Sequence, residues 1–235
     1  MHTDFFTSTI KIQVDKRLYL KDPESSELGL KIIKVGTKMI DEMGFEDFTF
    51  RKLGQEIGSN EASVYRYFES KYKFIYYLSS WYWGWMMYSL NLCTVNIQSV
   101  ENRLCNALKL MTEEPKDKLI KDAFDVIRLH RIICFESDKA ILNKGVDKMR
   151  HEGVFDNYKN FVAMVGEIIR EHSPEYKYPR MLVTTVIEGA HFQKFFAKHL
   201  PKLTDVIGTE LYMTEFYTDM VKKTLKKNDE KDNTI

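Results

Sequence analysis

The sequence predicts an all-α protein in which an N-terminal three-helix helix-turn-helix domain is joined by a long fourth helix to a C-terminal helical domain. Three observations predict it. Apolar residues recur every three or four positions from Leu28 almost to the C-terminus. Glycine and proline are scarce, 11 and 5 in 235 residues, and Pro115, Pro174 and Pro201 fall near breaks in the periodicity. Strand-like alternation is confined to one short stretch, Ile10-Lys11-Ile12-Gln13-Val14, which reads as an extended arm.

The elements follow in order. Asp22-Pro23 reads as an N-cap with proline in the first helical position. It opens an amphipathic helix Pro23–Met43, whose apolar residues include Leu28, Ile32, Val35, Met39 and Ile40, and Gly44 supplies its C-cap. Thr49 caps a second helix through "FRKLGQEI" to Gly58, and "SNE" makes a tight turn. Asn60 caps a third, short helix from about Glu61 to Tyr67, and Ser70 caps a fourth that begins at Lys71. Further helices are expected over 99–112, 117–135, 155–172, 178–199 and 209–226, and "KKTLKKNDEKDNTI" reads as a solvated tail.

Composition sets outer bounds. The formal net charge is +1, so any surface for nucleic acid must be local. Cys93, Cys105 and Cys134 are odd in number and outside any CxxC pattern, which suits reduced core thiols in a cytoplasmic protein. The N-terminus lacks the basic-then-apolar order of a signal peptide. From Phe74 to Val100 no residue is charged, and "FIYYLSSWYWGWMMYSLNL" has the length of a membrane span. Tyrosine and tryptophan supply much of its apolar character, however, and Ser79, Ser80, Gly84, Ser89 and Asn91 dilute it. A helix buried on most sides explains it better, and no membrane partner is expected.

A long helix, a short helix, a turn and a second short helix make a helix-turn-helix, whose second short helix enters the major groove of DNA. "ASVYRYFESK" at 62–71 then makes sense on a surface. Leu53, Ile57, Val64 and Phe68 pack the three helices. Glu61, Ala62, Ser63 and Arg66 are expected to face base edges and Thr49, Tyr65, Tyr67 and Lys71 to position phosphates, with Arg51 and Lys52 also counted among the DNA-binding residues.

These residues carry a resemblance. "TFRKLGQEIGSNEASVYRYFESKYKFI" is similar to the DNA-binding domain of the TetR/AcrR family of bacterial transcriptional repressors. Thr49, Leu53, Gly58, Ala62, Ser63, Val64, Tyr65, Phe68 and Lys71 match its pattern in register over about residues 25–80. "LYLKDPESSELG" with "SWYWGW" further resembles a Bacteroidetes-type subgroup. Three residues depart from the pattern. Gly54 stands where alanine is usual, Ser59 replaces an apolar residue, and Glu61 stands where a neutral or basic residue is common. Residues 48–73 carry five cationic and three anionic side chains.

Enzymatic readings find no support, since GxGxxG, P-loop, GxSxG and HExxH motifs are all missing. No catalytic residue, metal site or cofactor is expected. The resemblance implies a homodimer on a two-fold operator, released by a small ligand. Residues 1–70 would form the DNA-binding part and residues 71–235 the effector-binding and dimerisation part. The helices near 178–199 and 209–226 would make the dimer. Trp81, Trp85 and Tyr88, with Arg128, His130, Glu188 and His191 as polar groups, are the candidates to line an apolar or aromatic effector site. The competing reading is an all-helical module that recognises a protein or membrane surface through its Trp/Tyr cluster, without a DNA function.

Overall fold

The structure is a computed structural model and describes residues 11–116, 119–121, 123–136, 153–205 and 211–226. Among these the helices are α1 (Glu27–Asp47), α2 (Phe50–Glu56), α3 (Glu61–Tyr65), α4 (Lys71–Thr94), α5 (Val100–Thr112), α6 (Val126–Phe135), α7 (Asp156–His172), α8 (Pro179–His199) and α9 (Leu211–Leu225). The fold is all-α, as the sequence predicts.

The local chemistry of the N-terminal elements follows the sequence closely. The Thr49 hydroxyl accepts from the Lys52 N–H and starts α2. Asn60 Oδ1 accepts from the Ser63 N–H and starts α3. Ser70 Oγ accepts from the Lys73 N–H at the head of α4. Each side chain satisfies a donor that a helix start leaves unpaired.

Two segments differ from expectation. The first helix opens later, because Pro23–Ser25 forms a separate 3-10 turn and Ser26 caps α1 by accepting from the Gly29 N–H. Gly44, expected to end this helix, kinks it at φ +81°, and helical turns resume to Asp47. Farther on, the helix expected over 117–135 begins only at Val126. Leu119–Lys121 and Phe124–Asp125 pair instead as two short antiparallel strands, β1 and β2. Asp125 then accepts from the Arg128 N–H as the N-cap of α6. A residue that caps so well starts a helix where it stands and discourages one from running through it.

The described residues divide into two compact units, one within 1–89 and 114–161 and the other within 90–113 and 162–235. In the first, Ile32, Ile33 and Ile40 of α1, Leu53 of α2, and Val64 and Phe68 at α3 are buried with Phe74 of α4. Phe74 stacks on Phe48 and takes the edge of Phe68, which fixes the start of α4 against the helix-turn-helix. In the second unit, Leu104, Leu108 and Met111 of α5, Val183, Val186 and Ile187 of α8, and Met213, Tyr217 and Val221 of α9 are buried. Cys93, Cys105 and Cys134 are reduced and half-buried, so the expectation of core thiols is corrected to thiols at the core margin.

Candidate nucleic-acid interface

The recognition element is short and tightly fastened. α3 begins under the Asn60 cap, and Val64 and Phe68 bury its inner side. Gly54 explains its own departure from the family pattern. A methyl there would sit about 3.0 Å from the Glu61 nitrogen and 3.1 Å from the Asn60 carbonyl carbon. The residue that weakens α2 therefore lets the turn close directly onto it.

Thr49, Arg51, Lys52, Ala62, Tyr65 and Arg66 are exposed, and Glu61 is half-exposed. Tyr65 sets the edge of its ring against Phe50, which fixes its direction while leaving it in solvent. Arg66 reaches back to Ser63 Oγ at 3.4 Å. Lys52 Nζ donates to the Asp47 carbonyl.

Three residues expected on this surface have inward duties. Tyr67 is 3% exposed, and its hydroxyl shares a 2.8 Å hydrogen bond with Ser26. That bond lowers the tyrosine pKa, and Lys21, poised over the ring, adds to the effect. Tyr67 therefore anchors the end of the recognition element to the start of α1 and does not lie along phosphate. Ser63 is also buried, and its hydroxyl donates to Asn60 Oδ1, completing the cap instead of facing a base. Lys71 Nζ donates to the carbonyls of Phe45, Glu46 and Phe48 at 2.9–3.2 Å. A cation on three carbonyls after a helix C-terminus is a cap. The match at Lys71 gave no hint of this, because a lysine at the head of a helix looks the same whether it turns out or in.

Other fasteners escaped sequence reasoning. Asp41 of α1 accepts from both Arg128 and Arg131 of α6, the latter through two bonds of 2.6 and 2.8 Å. Glu136 accepts from the Phe45 N–H at 2.9 Å, just past the Gly44 kink. Lys31 Nζ donates to the Ile57 carbonyl and ties α1 to the turn. The spacing of these residues along the chain carries no signal of such pairings.

The residues expected to line an effector site fall into separate groups. Trp81 is 1% exposed and stacks flat on Phe124 at 3.9 Å. Its indole N–H is buried and has no hydrogen-bond partner. Trp85 leans on Tyr82, whose hydroxyl meets His130 Nδ1 at 2.7 Å. Burial raises the Tyr82 pKa well above its usual value. Arg128 faces Asp41 and Glu42, away from His130 on the same helix. Tyr88 is half-buried. Glu188 and His191 lie on α8 in the second unit, with carboxylate and imidazole 3.9 Å apart. Burial drives the His191 pKa down to about 3, with Lys194 adding to the effect.

Among the described residues, no group of three or more His, Cys, Asp or Glu side chains is placed to hold a metal ion. Among the same residues, no helix is long and apolar enough to cross a membrane.

Comparison with known proteins agrees with this geometry. Residues 32–76, from α1 into α4, match the family model "Bacterial regulatory proteins, tetR family". No curated protein sequence matches the chain. Among solved structures, a tetR-family regulatory protein from Rhodococcus RHA1 is similar at TM-score 0.57 and 10% identity, over 86% of this chain and 98% of that one. AibR, solved with isovaleryl coenzyme A and operator DNA, is similar at TM-score 0.55 and 12% identity, over 80% of this chain and 95% of that one. The superantigen PfiT is similar at TM-score 0.54 and 13% identity, over 88% of this chain and all of that one. Likeness at such identities shows the fold alone, and the PfiT match warns against reading a role from it. The helix-turn-helix sequence supplies what the fold leaves open: over residues 32–76 the chain is similar to bacterial regulatory proteins of the tetR family, and that match supports a DNA-binding transcriptional regulator.

Proposed function

We propose that this regulator is a repressor, acting in the cytoplasm as a homodimer on a two-fold operator and released by an apolar or aromatic small molecule. The observation that carries the reading is the outer face of α3. Ala62, Tyr65 and Arg66 stand in solvent there while Val64, Tyr67 and Phe68 behind them are buried. A small residue, an aromatic hydroxyl and a guanidinium on a rigid short helix suit a major groove. In this reading Glu61, Ala62 and Arg66 meet base edges, and Thr49, Arg51, Lys52 and Tyr65 meet phosphates. Ser63, Tyr67 and Lys71 act from behind, by holding the helix. Residues 1–70 do the DNA work, and residues 71–235 bind the effector and make the dimer.

Two further observations support the finer parts. On α8 and α9, Met181, Phe192, Phe195, Tyr212 and Phe216 are exposed, an apolar face suited to a second copy. In the first unit, the buried Trp81 N–H leaves one donor for a polar atom of an otherwise apolar ligand. An acyl group such as the one bound to AibR has that chemistry.

The test is selection from random-sequence duplex DNA by the purified protein. Enrichment of a two-fold motif with half-sites about one helical turn apart is expected. A pool that stays random, or one unchanged when Arg66→Ala and Tyr65→Ala replace the wild type, sinks the reading. Titration of the duplex-bound protein with acyl and aromatic carboxylates then reads release. Any ligand that releases DNA must itself be weakened by DNA by the same factor.

A further inference from the structure

The N-terminal segment before α1 and "SWYWGW" in α4 meet each other. Residues 11–20 run along one stripe of α4, without regular structure at either end and through a 3-10 turn at Lys16–Leu18. Lys73, Tyr77, Ser80 and Gly84 are spaced four, three and four apart, so they share a face over about 16 Å of helix. Ile12 is buried against Gly84, and a methyl on Gly84 would overlap Ile12 Cγ2. The Gln13 carbonyl accepts from Asn157 Nδ2 at 2.9 Å, and the same amide group donates to the Ser80 carbonyl at 2.8 Å. Lys73 Nζ donates to the Arg17 carbonyl, and Tyr19 sets its ring edge-on to Tyr77. At the far end, the Leu20 N–H donates to the Tyr67 carbonyl at 2.8 Å.

The segment therefore has one end on the start of α7 and the middle of α4, and the other end on the residue that closes the recognition element. Gly84 makes sense only through it. A glycine deep inside a helix costs about 1 kcal/mol of propensity against alanine, and here it opens the seat for Ile12. A segment with a single 3-10 turn, held by a few anchors, has little stability of its own, so its order depends on those anchors.

We propose that residues 11–20 are a positioning strap: the seating of Ile12 on Gly84 and of Gln13 on Asn157 fixes how α3 is presented to DNA. Gly84 and Asn157 are thus positioning residues that act through the strap. The proposal rests on the DNA-binding reading above, and the experiment separates the two.

The full-length protein is compared with Gly84→Ala, Ile12→Ala, the Ile12→Ala/Gly84→Ala double variant and Asn157→Ala. Limited trypsin cleavage after the exposed Lys16 and Arg17 reports the strap. Affinity for the duplex selected by the wild type reports presentation. Gly84→Ala raises the helix propensity of α4, so weaker binding cannot be put down to a weaker helix. It should accelerate cleavage and weaken duplex binding, each about tenfold, as for losing one well-seated contact. Asn157→Ala should move both in the same direction. Ile12→Ala should also move both that way on its own, and the double variant should lose no more than Ile12→Ala alone, because the new methyl then has no branch to displace; that non-additivity identifies the contact. Unchanged cleavage in Gly84→Ala, faster cleavage with unchanged affinity, or purely additive losses overturn the proposal. If the wild type selects no duplex, the DNA-binding reading falls, and hydrogen exchange of the Ser63–Phe68 amides decides for the strap. Faster exchange in both Gly84→Ala and Ile12→Ala, with no further gain in the double variant, supports it, and any other pattern overturns it.

Discussion

Two aromatic-rich stretches of this chain meet opposite fates. In α4, Trp81, Tyr82, Trp83 and Trp85 are all buried, each against a named ring or a buried neighbour. On α8 and α9, Phe192, Phe195, Tyr212 and Phe216 lie between 38% and 58% exposed. Aromatic content does not separate them, but charge does. From Phe74 to Val100 no side chain is charged, whereas α8 carries Arg180, Glu188, Lys194 and Lys198 among its apolar residues. A helix without charge has no face it prefers to show to water. A helix with a charged face and two apolar ones can bury one against its own chain and keep the other for a partner.

The contrast is sharpest in stability. Trp81→Ala removes a ring stacked on Phe124 and should cost about 3–5 kcal/mol in urea unfolding. Phe192→Ala should cost no more than about 0.5 kcal/mol at dilutions where the protein is a monomer. Equal losses would mean that the α8 face is core after all.

Charging the outer face is the next largest effect. The Phe192→Glu/Phe216→Glu variant should sediment as a monomer of 27.8 kDa at micromolar concentration. Its operator affinity should fall about a hundredfold, as linked half-site binding is lost. A variant that remains dimeric with intact DNA binding places the interface elsewhere.

Within the DNA-binding unit, Lys71 and Arg66 set an inward cation against an outward one. Lys71→Ala strips three carbonyls of their partner and should lower thermal stability by roughly 1.5–3 kcal/mol. Arg66→Ala should change stability by less than about 0.5 kcal/mol. It should instead relax preference at one base position, by about 1–3 kcal/mol in a selection experiment. If Lys71→Ala leaves the melting curve in place and only reduces the salt slope of DNA binding, its cap does not matter in solution.

The second unit should also respond to acid. The folded-state pKa of His191, about 3, lies below the ordinary value near 6.5, so between these values the unfolded chain binds a proton that the folded one refuses. Above about pH 6.5 the group contributes nothing to the pH dependence. As pH falls below that, stability should drop at up to about 1.4 kcal/mol per pH unit. The Glu188 carboxylate, 3.9 Å away but half in solvent, opposes this only weakly. His191→Leu should flatten the slope between pH 6 and 4, and an unchanged slope would assign it to other groups.

Much of the fold was legible because it rests on local chemistry. Thr49, Asn60 and Ser70 cap the helices they were expected to cap, since a cap needs only a side chain and the next three residues. The hairpin before α6 was hidden because Leu119 to Val126 carries apolar residues that fit either period. The site was read less completely. Tyr65 and Arg66 stand outward as periodicity implies, but Tyr67 turns inward because Ser26, 41 residues earlier, offers its hydroxyl a partner. Lys71 was matched by pattern, and pattern does not say which oxygens a lysine will find.

The carboxylate of Asp41 between Arg128 and Arg131 has a consequence for how this sequence can drift. The three residues form an unequal set: each arginine also reaches a more exposed carboxylate, while the aspartate serves two cations and its side chain is only 9% exposed. Loss of one arginine leaves a carboxylate still neutralised, whereas loss of the aspartate removes the one buried anion and leaves both guanidinium groups only the more exposed Glu42, Asp125 and Glu114. In a library of single substitutions selected for folded protein, Asp41 should therefore be depleted more strongly than Arg128 or Arg131. Lineages that abandon this bridge should lose an arginine first and the aspartate last.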